Sequence, residues 1–412
     1  MIKLIKKHKK NLKNASLIIS GIVTGKGIAI VLTLFLTQIY SPENFGFLAI
    51  FMSSGALFSA IFTLKYEISI LSIPNGDQMN FVKFLRTNAF YFALFTNVIC
   101  VVLFLTNLIG LIYCFIPLYA FIISLYEIER MRKVSDQNFK IISVSELVRN
   151  SVGSIIPLAK YITCAFPGGL MIGELFSKIA AIRVFSGKEI ASFQKFNEWA
   201  DVFKKEIRNM LKTGGASIIN ISSSESLILF TGAIYGPQFA GLFFIGRRIV
   251  AVPIGLITTA LGDIINSNLS KLFLNEKDNS KLRKLVFKSL IVLVFLATLA
   301  TVLIFLGIDF VVDNFLAKEY VGVAKIVKYS LGYYFSLIII RPISSYFNIT
   351  KQYRYTLIWD AIRFSILLIF YLIVIILKLD FYSFVLWLSV CLFFVYILYP
   401  IMIKFFKELV NI

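Results

Sequence analysis

Histidine is nearly missing from this sequence: the single copy, His8, stands in a basic N-terminal tail. Histidine-centred metal sites and imidazole acid–base catalysis are thereby excluded. Cysteine is scarce as well. Cys100, Cys114, Cys164 and Cys391 lie in or beside apolar stretches with no C-x-x-C spacing, so they read as small packing residues rather than a redox or metal centre. Acidic residues are few, 22 Asp and Glu against 42 Lys and Arg, for a formal charge of +20 over 412 residues. Long polar loops are also wanting. The loops on the sparsely charged side are only a few residues long except 308 to 320, with Asp309, Asp313 and Glu319, which leaves little room for a catalytic site outside the apolar segments.

What the sequence does contain is apolar length. Hydrophobic residues make up 58% and charged residues 16%, with a mean hydropathy of +0.83, well past the apolar share of an ordinary soluble domain. With a window of about 20 residues, the length that crosses a hydrocarbon core, the chain divides into about twelve apolar segments. They cover 14–38, 45–72, 87–107, 109–126, 141–162, 165–186, 213–234, 239–268, 286–307, 321–348, 355–377 and 381–405. The third and fourth form one run almost without charge, too long for a single crossing, so a turn near Asn107 to Gly110 is expected.

The position of the cations explains the charge. With both termini placed in the cytoplasm, loop cations from Lys3 through Arg130, Lys204, Lys284 and Lys351 to Lys407 fall on one side, and only Lys318 and Lys378 on the other. This is the positive-inside asymmetry of a multi-pass membrane protein with an even number of spans, and nucleic acid need not be invoked. The opening "MIKLIKKHKKNLK" precedes an apolar run without a small-residue cleavage motif, so it reads as the flank of a retained first span.

One phrase is written twice. "LTLFLTQIYSPENFG", Leu32 to Gly46, and "LILFTGAIYGPQFAG", Leu227 to Gly241, share Leu, Leu, Phe, Ile, Tyr, Pro and Gly at identical spacing. Each copy ends one apolar helix, turns at proline and opens the next. Both turns fall on the non-cytoplasmic side, so the copies share one orientation. The expected fold is therefore an all-α polytopic membrane protein of about twelve transmembrane helices in two six-helix lobes related by a parallel pseudo-repeat. The lobes are placed at 1–185 (spans 1 to 6) and 213–412 (spans 7 to 12). Between them 186–212, a basic segment, is expected to be a cytoplasmic amphipathic linker on the membrane surface. A two-lobed repeat implies a central cavity and alternating access by rocking.

The stretches "IYSPENFGFLAIFMSSGALFSAIFTLKYEISILSIPNGD", "GGLMIGELFSKIAAI", "YGPQFAGLFFIGRRIVAVPIGLI" and "KEYVGVAKIVKYSLGYYFSLIIIRPISSYFNITKQYRYTLIWDAIRF" together resemble the Wzx-type polysaccharide flippases. These are the O-antigen and capsule branch of the superfamily that also holds the MATE exporters. The resemblance rests on pattern, such as the Tyr-Ser-Pro-Glu-x-Phe-Gly turn and the Lys-Tyr-Glu that ends span two, and on no catalytic signature. It implies a flippase that moves undecaprenyl-diphosphate-linked oligosaccharide from the cytoplasmic to the outer leaflet of the bacterial inner membrane. The partners it implies are that lipid-linked oligosaccharide, membrane lipids and a polysaccharide polymerase. No cofactor is implied beyond a coupling ion, H+ or Na+. A MATE-like small-molecule exporter is the alternative within transport, and a membrane polysaccharide polymerase or glycosyltransferase the alternative among enzymes.

Cations inside the apolar segments are the candidate site residues. Each costs on the order of 3 kcal/mol if it faces lipid at a bilayer centre, so each must be paired, snorkelled or turned to water. Glu146 with Arg149, Glu174 with Lys178 and Asp360 with Arg363 stand three or four residues apart, a spacing that places both charges on one helical face. Lys26, Arg247, Arg248, Lys325, Lys328 and Arg341 have no opposite charge at that spacing. Guanidinium forks and ammonium groups suit a diphosphate passenger, so Lys26, Arg149, Arg247, Arg248, Lys325, Lys328, Arg341 and Arg363 are candidates for substrate binding. Glu225 and Asp263 are candidates for ion coupling, and Lys26 is expected to face Glu225. Gly25, Pro253 and Pro342 are candidates for gating, since Gly and Pro allow bends in membrane helices.

Overall fold

The computed structural model of the chain describes residue 25 and residues 27–163, 168–186, 192–275 and 279–405. Every regular element among these is helical. The chain divides into two compact units, Met1–Gly232 and Ala233–Ile412.

The first unit opens with α1, Gly27–Leu36, followed by α2 (Pro42–Thr63), α3 (Asn75–Leu105), α4 (Ile116–Ser135), α5 (Phe139–Thr163) and α6 (Gly169–Ser186). The expected turn between the third and fourth spans is present: α3 stops at Leu105, Asn107 takes a positive φ of 57°, and a short 3-10 turn leads into α4. Helix α7, Phe196–Tyr235, runs from this unit into the start of the second. The second unit continues with α8 (Pro237–Asn275), α9 (Asn279–Phe315), and a broken span made of α10 (Gly322–Tyr329), α11 (Leu331–Ile340) and α12 (Tyr346–Ile349). It closes with α13 (Tyr353–Leu377) and α14 (Phe381–Phe405).

Seven described helices are long and apolar enough to cross a membrane, and the segment 318–349, bent by 53°, makes an eighth. The remaining four spans are α1, of which a short apolar part is described, and α4, α5 and α6, which carry the charges Glu127, Glu129, Arg130, Glu146, Arg149, Glu174 and Lys178. With the broken span counted once, these make twelve helices, the number expected.

The repeat has a structural meaning. Pro42 is the first residue of α2 and Pro237 the first of α8, the helical position where a missing N–H costs nothing and a fixed φ helps. Ser41 caps α2 by accepting from the Asn44 N–H; in the second copy Gly236 takes a φ of +89°, open to glycine at no cost. The matched tyrosines do the same work in both units. The Tyr40 hydroxyl donates to the Pro157 carbonyl at 3.0 Å in α5, and the Tyr235 hydroxyl to the Leu379 carbonyl at 2.9 Å after α13.

The basic segment expected to be an amphipathic linker is helical from Phe196, and its apolar side packs on protein. From Phe196 it is already α7, and Trp199, Val202, Phe203 and Met210 pack against Tyr66, Ile70, Val82, Leu85 and Ile128 of the first unit. Its apolar face is thus covered by protein. The Trp199 indole donates to Asn88 at 3.2 Å, the Tyr66 hydroxyl to Glu206 at 2.7 Å, and the Gln194 N–H to the Thr87 hydroxyl at 2.8 Å. Division of the chain falls after Gly232, inside α7, whereas the expected linker lay at 186–212.

Candidate functional site

Two polar constellations hold described candidate residues, one in each unit. In the first unit α5 and α6 approach closely because Gly173 lies against the Pro157 ring: a Cβ there would come within 2.7 Å of it. That approach aligns four charges. Arg149 pairs with Glu146 at 2.7 Å and Lys178 with Glu174 at 3.9 Å. Helix α4 supplies two tyrosines: Tyr126 donates to Glu146 at 2.6 Å and Tyr119 to Glu174 at 3.0 Å. The Tyr126 ring also receives Arg149 at 5.6 Å and Lys178 at 4.6 Å from its centroid, contacts favourable between a cation and an aromatic face. Two acids and two bases leave the quartet formally neutral. Glu225 of α7, half-buried, lies within electrostatic reach of Tyr119. Gly25 sits against Asn150, where a Cβ would be 2.7 Å from the amide nitrogen, which places α1 beside this site. Lys26, expected to face Glu225, lies outside the described residues.

In the second unit the candidate cations converge from three elements. Arg247 comes from α8, Arg341 from the break that follows α11, and Arg363 from α13; all three lie within electrostatic reach of Tyr333 on α11. Arg363 is buried and pairs with Asp360 at 3.5 Å, while Tyr396 of α14 lies 3.3 Å from its guanidinium. Arg247 is half-buried and Arg341 exposed. The Arg341 guanidinium lies over Gly255, 3.6 Å from where a Cβ would stand. Pro342 is buried and its backbone packs against Gly262, 3.4 Å from a Cβ built there. An aromatic wall backs the arginines: Tyr333 against Tyr396, and Trp359 against Tyr396 and Tyr399, with centroids 5.0 to 6.1 Å apart. The Tyr399 hydroxyl donates to the Ser344 carbonyl at 2.7 Å, fastening α14 to the broken span. Guanidiniums backed by phenols are the groups that grip phosphate oxygens by paired hydrogen bonds.

The other candidates lie apart from this cluster. Arg248 stacks over Phe244 at 5.7 Å. Lys328 pairs with Asp309 of α9 at 2.5 Å, a partner 19 residues away, and Lys325 sits over the Tyr382 ring at 4.2 Å. Asp263 is exposed on α8, and Pro253 lies exposed within the same helix, which continues through it. Of the proline candidates, then, Pro342 stands at a break and Pro253 does not. Tyr126, Tyr119, Tyr333 and Tyr396 went unnoticed in the sequence; the available signal was hydroxyl-bearing aromatics inside apolar spans, which need a partner when buried. Asp380, between α13 and α14, is the one carboxylate near this unit's end whose ionisation is visibly set by its surroundings. Hydrogen bonds from Ser383, through its hydroxyl and its N–H, and from the Tyr382 N–H hold it below the usual carboxylate range.

No family model and no curated protein sequence matches this chain. Solved structures match over nearly its whole length. An inward-facing multidrug resistance MATE family transporter of the MOP superfamily aligns at a TM-score of 0.69 and 12% identity, over 93% of this chain and 94% of that one. The lipid II flippase MurJ in an inward closed conformation aligns at 0.62 and 14% identity, over 94% and 87%. A MOP superfamily transporter from Pyrococcus furiosus, for which a reverse polarity of the binding pocket suggests a different function, aligns at 0.51 and 12% identity, over 94% of each chain. At such identities the likeness is one of fold: the chain is an all-α membrane protein with the twelve-helix, two-lobe architecture of MOP superfamily transporters.

Proposed function

We propose that the protein is a flippase that carries undecaprenyl-diphosphate-linked oligosaccharide across the bacterial inner membrane by alternating access, for O-antigen or capsule assembly. The observation that carries this reading is an aromatic wall in an apolar unit, Tyr333 against Tyr396, with Arg363 at 3.3 Å from the Tyr396 hydroxyl and the Arg247 and Arg341 charges within electrostatic reach of Tyr333. Guanidiniums within an apolar unit repel a cationic drug and suit a diphosphate. The fold shared with a lipid II flippase supports a lipid-linked passenger. In this reading the diphosphate binds at the three arginines and the Tyr333, Tyr396 and Trp359 wall takes the adjoining sugar or prenyl group. A coupling ion, H+ or Na+, would be taken up at Glu225 or Asp263, with Gly25 and Pro342 as flexing points and both termini in the cytoplasm. A polysaccharide polymerase would receive the product.

The test is transbilayer movement of an undecaprenyl-diphosphate oligosaccharide in proteoliposomes. Arg247→Gln combined with Arg341→Gln should slow transport by about tenfold or more, the loss of two charge-assisted contacts. Arg248→Gln, outside the cluster, should leave the rate within about twofold. Wild-type rates in the double variant would refute the assignment. A small-molecule exporter is the second reading, favoured by the MATE transporter aligned at a TM-score of 0.69; uptake of cationic drugs without lipid movement would select it.

A further inference from the structure

The first five turns of α7 have two faces. Trp199, Val202, Phe203, Glu206, Met210 and Gly214 turn toward the first unit. Lys204, Lys205, Arg208 and Lys212 are exposed, and at 100° per residue they fall within an arc of about 100° on the opposite side. Exposed Leu211 lies among them. Glu198 and Asp201 share that face nearer the helix start, where the helix dipole favours acids, so charge along the face passes from negative to positive toward the membrane-crossing part.

Contacts with the end of α2 fix the depth of this face. Asn88 bridges α2 and α7: its amide donates to the Phe62 carbonyl at 2.7 Å and its carbonyl accepts from the Trp199 indole at 3.2 Å. Further along α7, Gly214 lies against Leu64, whose carbonyl carbon would be 2.7 Å from a Cβ there. Phe62 and Leu64 are the last residues of a span that ends in a left-handed cap at Leu64. Reading α2 as a membrane span that ends at its Leu64 cap puts the contacts of this stretch with Asn88 and Leu64, and the four cations between them, near the level of phospholipid headgroups.

We propose that Lys204, Lys205, Arg208 and Lys212 form a binding face for anionic phospholipid headgroups. Because the apolar side of α7 is already packed on protein, attachment here is electrostatic, with Leu211 the one apolar side chain reaching the acyl boundary. Cations at this depth each draw anionic lipid, and the attraction fades with added salt. The inference stands apart from the transport reading, since lipid retention is measured without any passenger.

The test uses the full-length protein in nanodiscs holding equal phosphatidylglycerol and phosphatidylcholine, with bound lipid counted after extraction. Wild-type protein should retain phosphatidylglycerol in preference, and the variant Lys204→Gln, Lys205→Gln, Arg208→Gln, Lys212→Gln should lose about tenfold of that preference. The charge-preserving variant Lys204→Arg, Lys205→Arg, Lys212→Arg should keep it and raised salt should abolish it. Lys284→Gln with Lys288→Gln on α9, exposed cations elsewhere, should leave it unchanged. An unaltered preference in the quadruple glutamine variant, or an equal loss in the α9 variant, would overturn the proposal.

Discussion

Two adjacent glycines in α7 should respond in opposite ways to the same added methyl group. At Gly214 a Cβ would fall inside the van der Waals sphere of the Leu64 carbonyl oxygen and 2.7 Å from its carbon. That oxygen belongs to backbone fixed in a left-handed cap, with the Leu64 N–H bonded to Ile61, so no rotamer change relieves the clash. Either α7 or the end of α2 must move by about an ångström, disturbing the packing of Met210, Trp199 and Phe203 on Tyr66, Ile70 and Leu85. Overpacking of this kind costs about 3 kcal/mol, and alanine in place of glycine within a helix returns about 1 kcal/mol, for a net loss near 2 kcal/mol. At Gly215 nothing lies within 4 Å of the added Cβ, so Gly215→Ala should gain roughly 0.5–1 kcal/mol. Thermal melts of the detergent-solubilised protein followed by size-exclusion chromatography read the difference directly. Gly214→Ala should melt several degrees below wild type and Gly215→Ala slightly above it. A Gly214→Ala protein as stable as Gly215→Ala would refute the close crossing of α2 and α7 on which the depth argument rests.

Further tests bear on charge. Glu129 is buried with Arg86 and Arg132, contacting the first through a hydrogen-bonded ion pair and the second at 3.3 Å. Glu129→Gln would remove the carboxylate that two buried guanidiniums share and should cost about 3–5 kcal/mol, visible as a large fall in melting temperature and in folded yield. Asp380→Ala removes the acceptor of the Tyr382 and Ser383 N–H groups at 3.0 and 3.2 Å and should cost about 1 kcal/mol, as loss of a helix N-cap does. Its carboxyl is held low in the folded protein, so the stabilisation is present above the ordinary carboxylate pKa and fades as pH falls through the depressed value. Melts of wild type and Asp380→Ala should therefore converge in acid.

The parts of this fold that were legible from the chain alone were those written in short-range pattern. Apolar windows, the one-sided cations and the repeated Tyr-Pro-Gly phrase gave twelve spans in two sets, because each signal is complete within one helix and its flanks. The pairs Glu146–Arg149, Glu174–Lys178 and Asp360–Arg363 formed as their helical spacing implied. What escaped were contacts fixed by packing between distant helices. Tyr119 and Glu174 are 55 residues apart, and Arg247 and Arg341 come within electrostatic reach of Tyr333 only because α8 packs on the broken span. Lys328 found Asp309 on another helix for the same reason. For the basic segment before span seven, an amphipathic period says that an apolar face is covered, not whether lipid or protein covers it; the cover on Trp199, Phe203 and Met210 is protein.

The neutral quartet of α5 and α6 also constrains descent. Replacing Arg149 alone leaves Glu146 with Tyr126 and an uncompensated negative charge, and replacing Glu174 alone strands Lys178 in the same way. Either single step passes through a less fit intermediate, so lineages should change these positions as matched pairs: a homologue without Arg149 should also lack Glu146, and one without Lys178 should lack Glu174. Tyr126, which touches three of the four side chains, should persist for as long as either pair does.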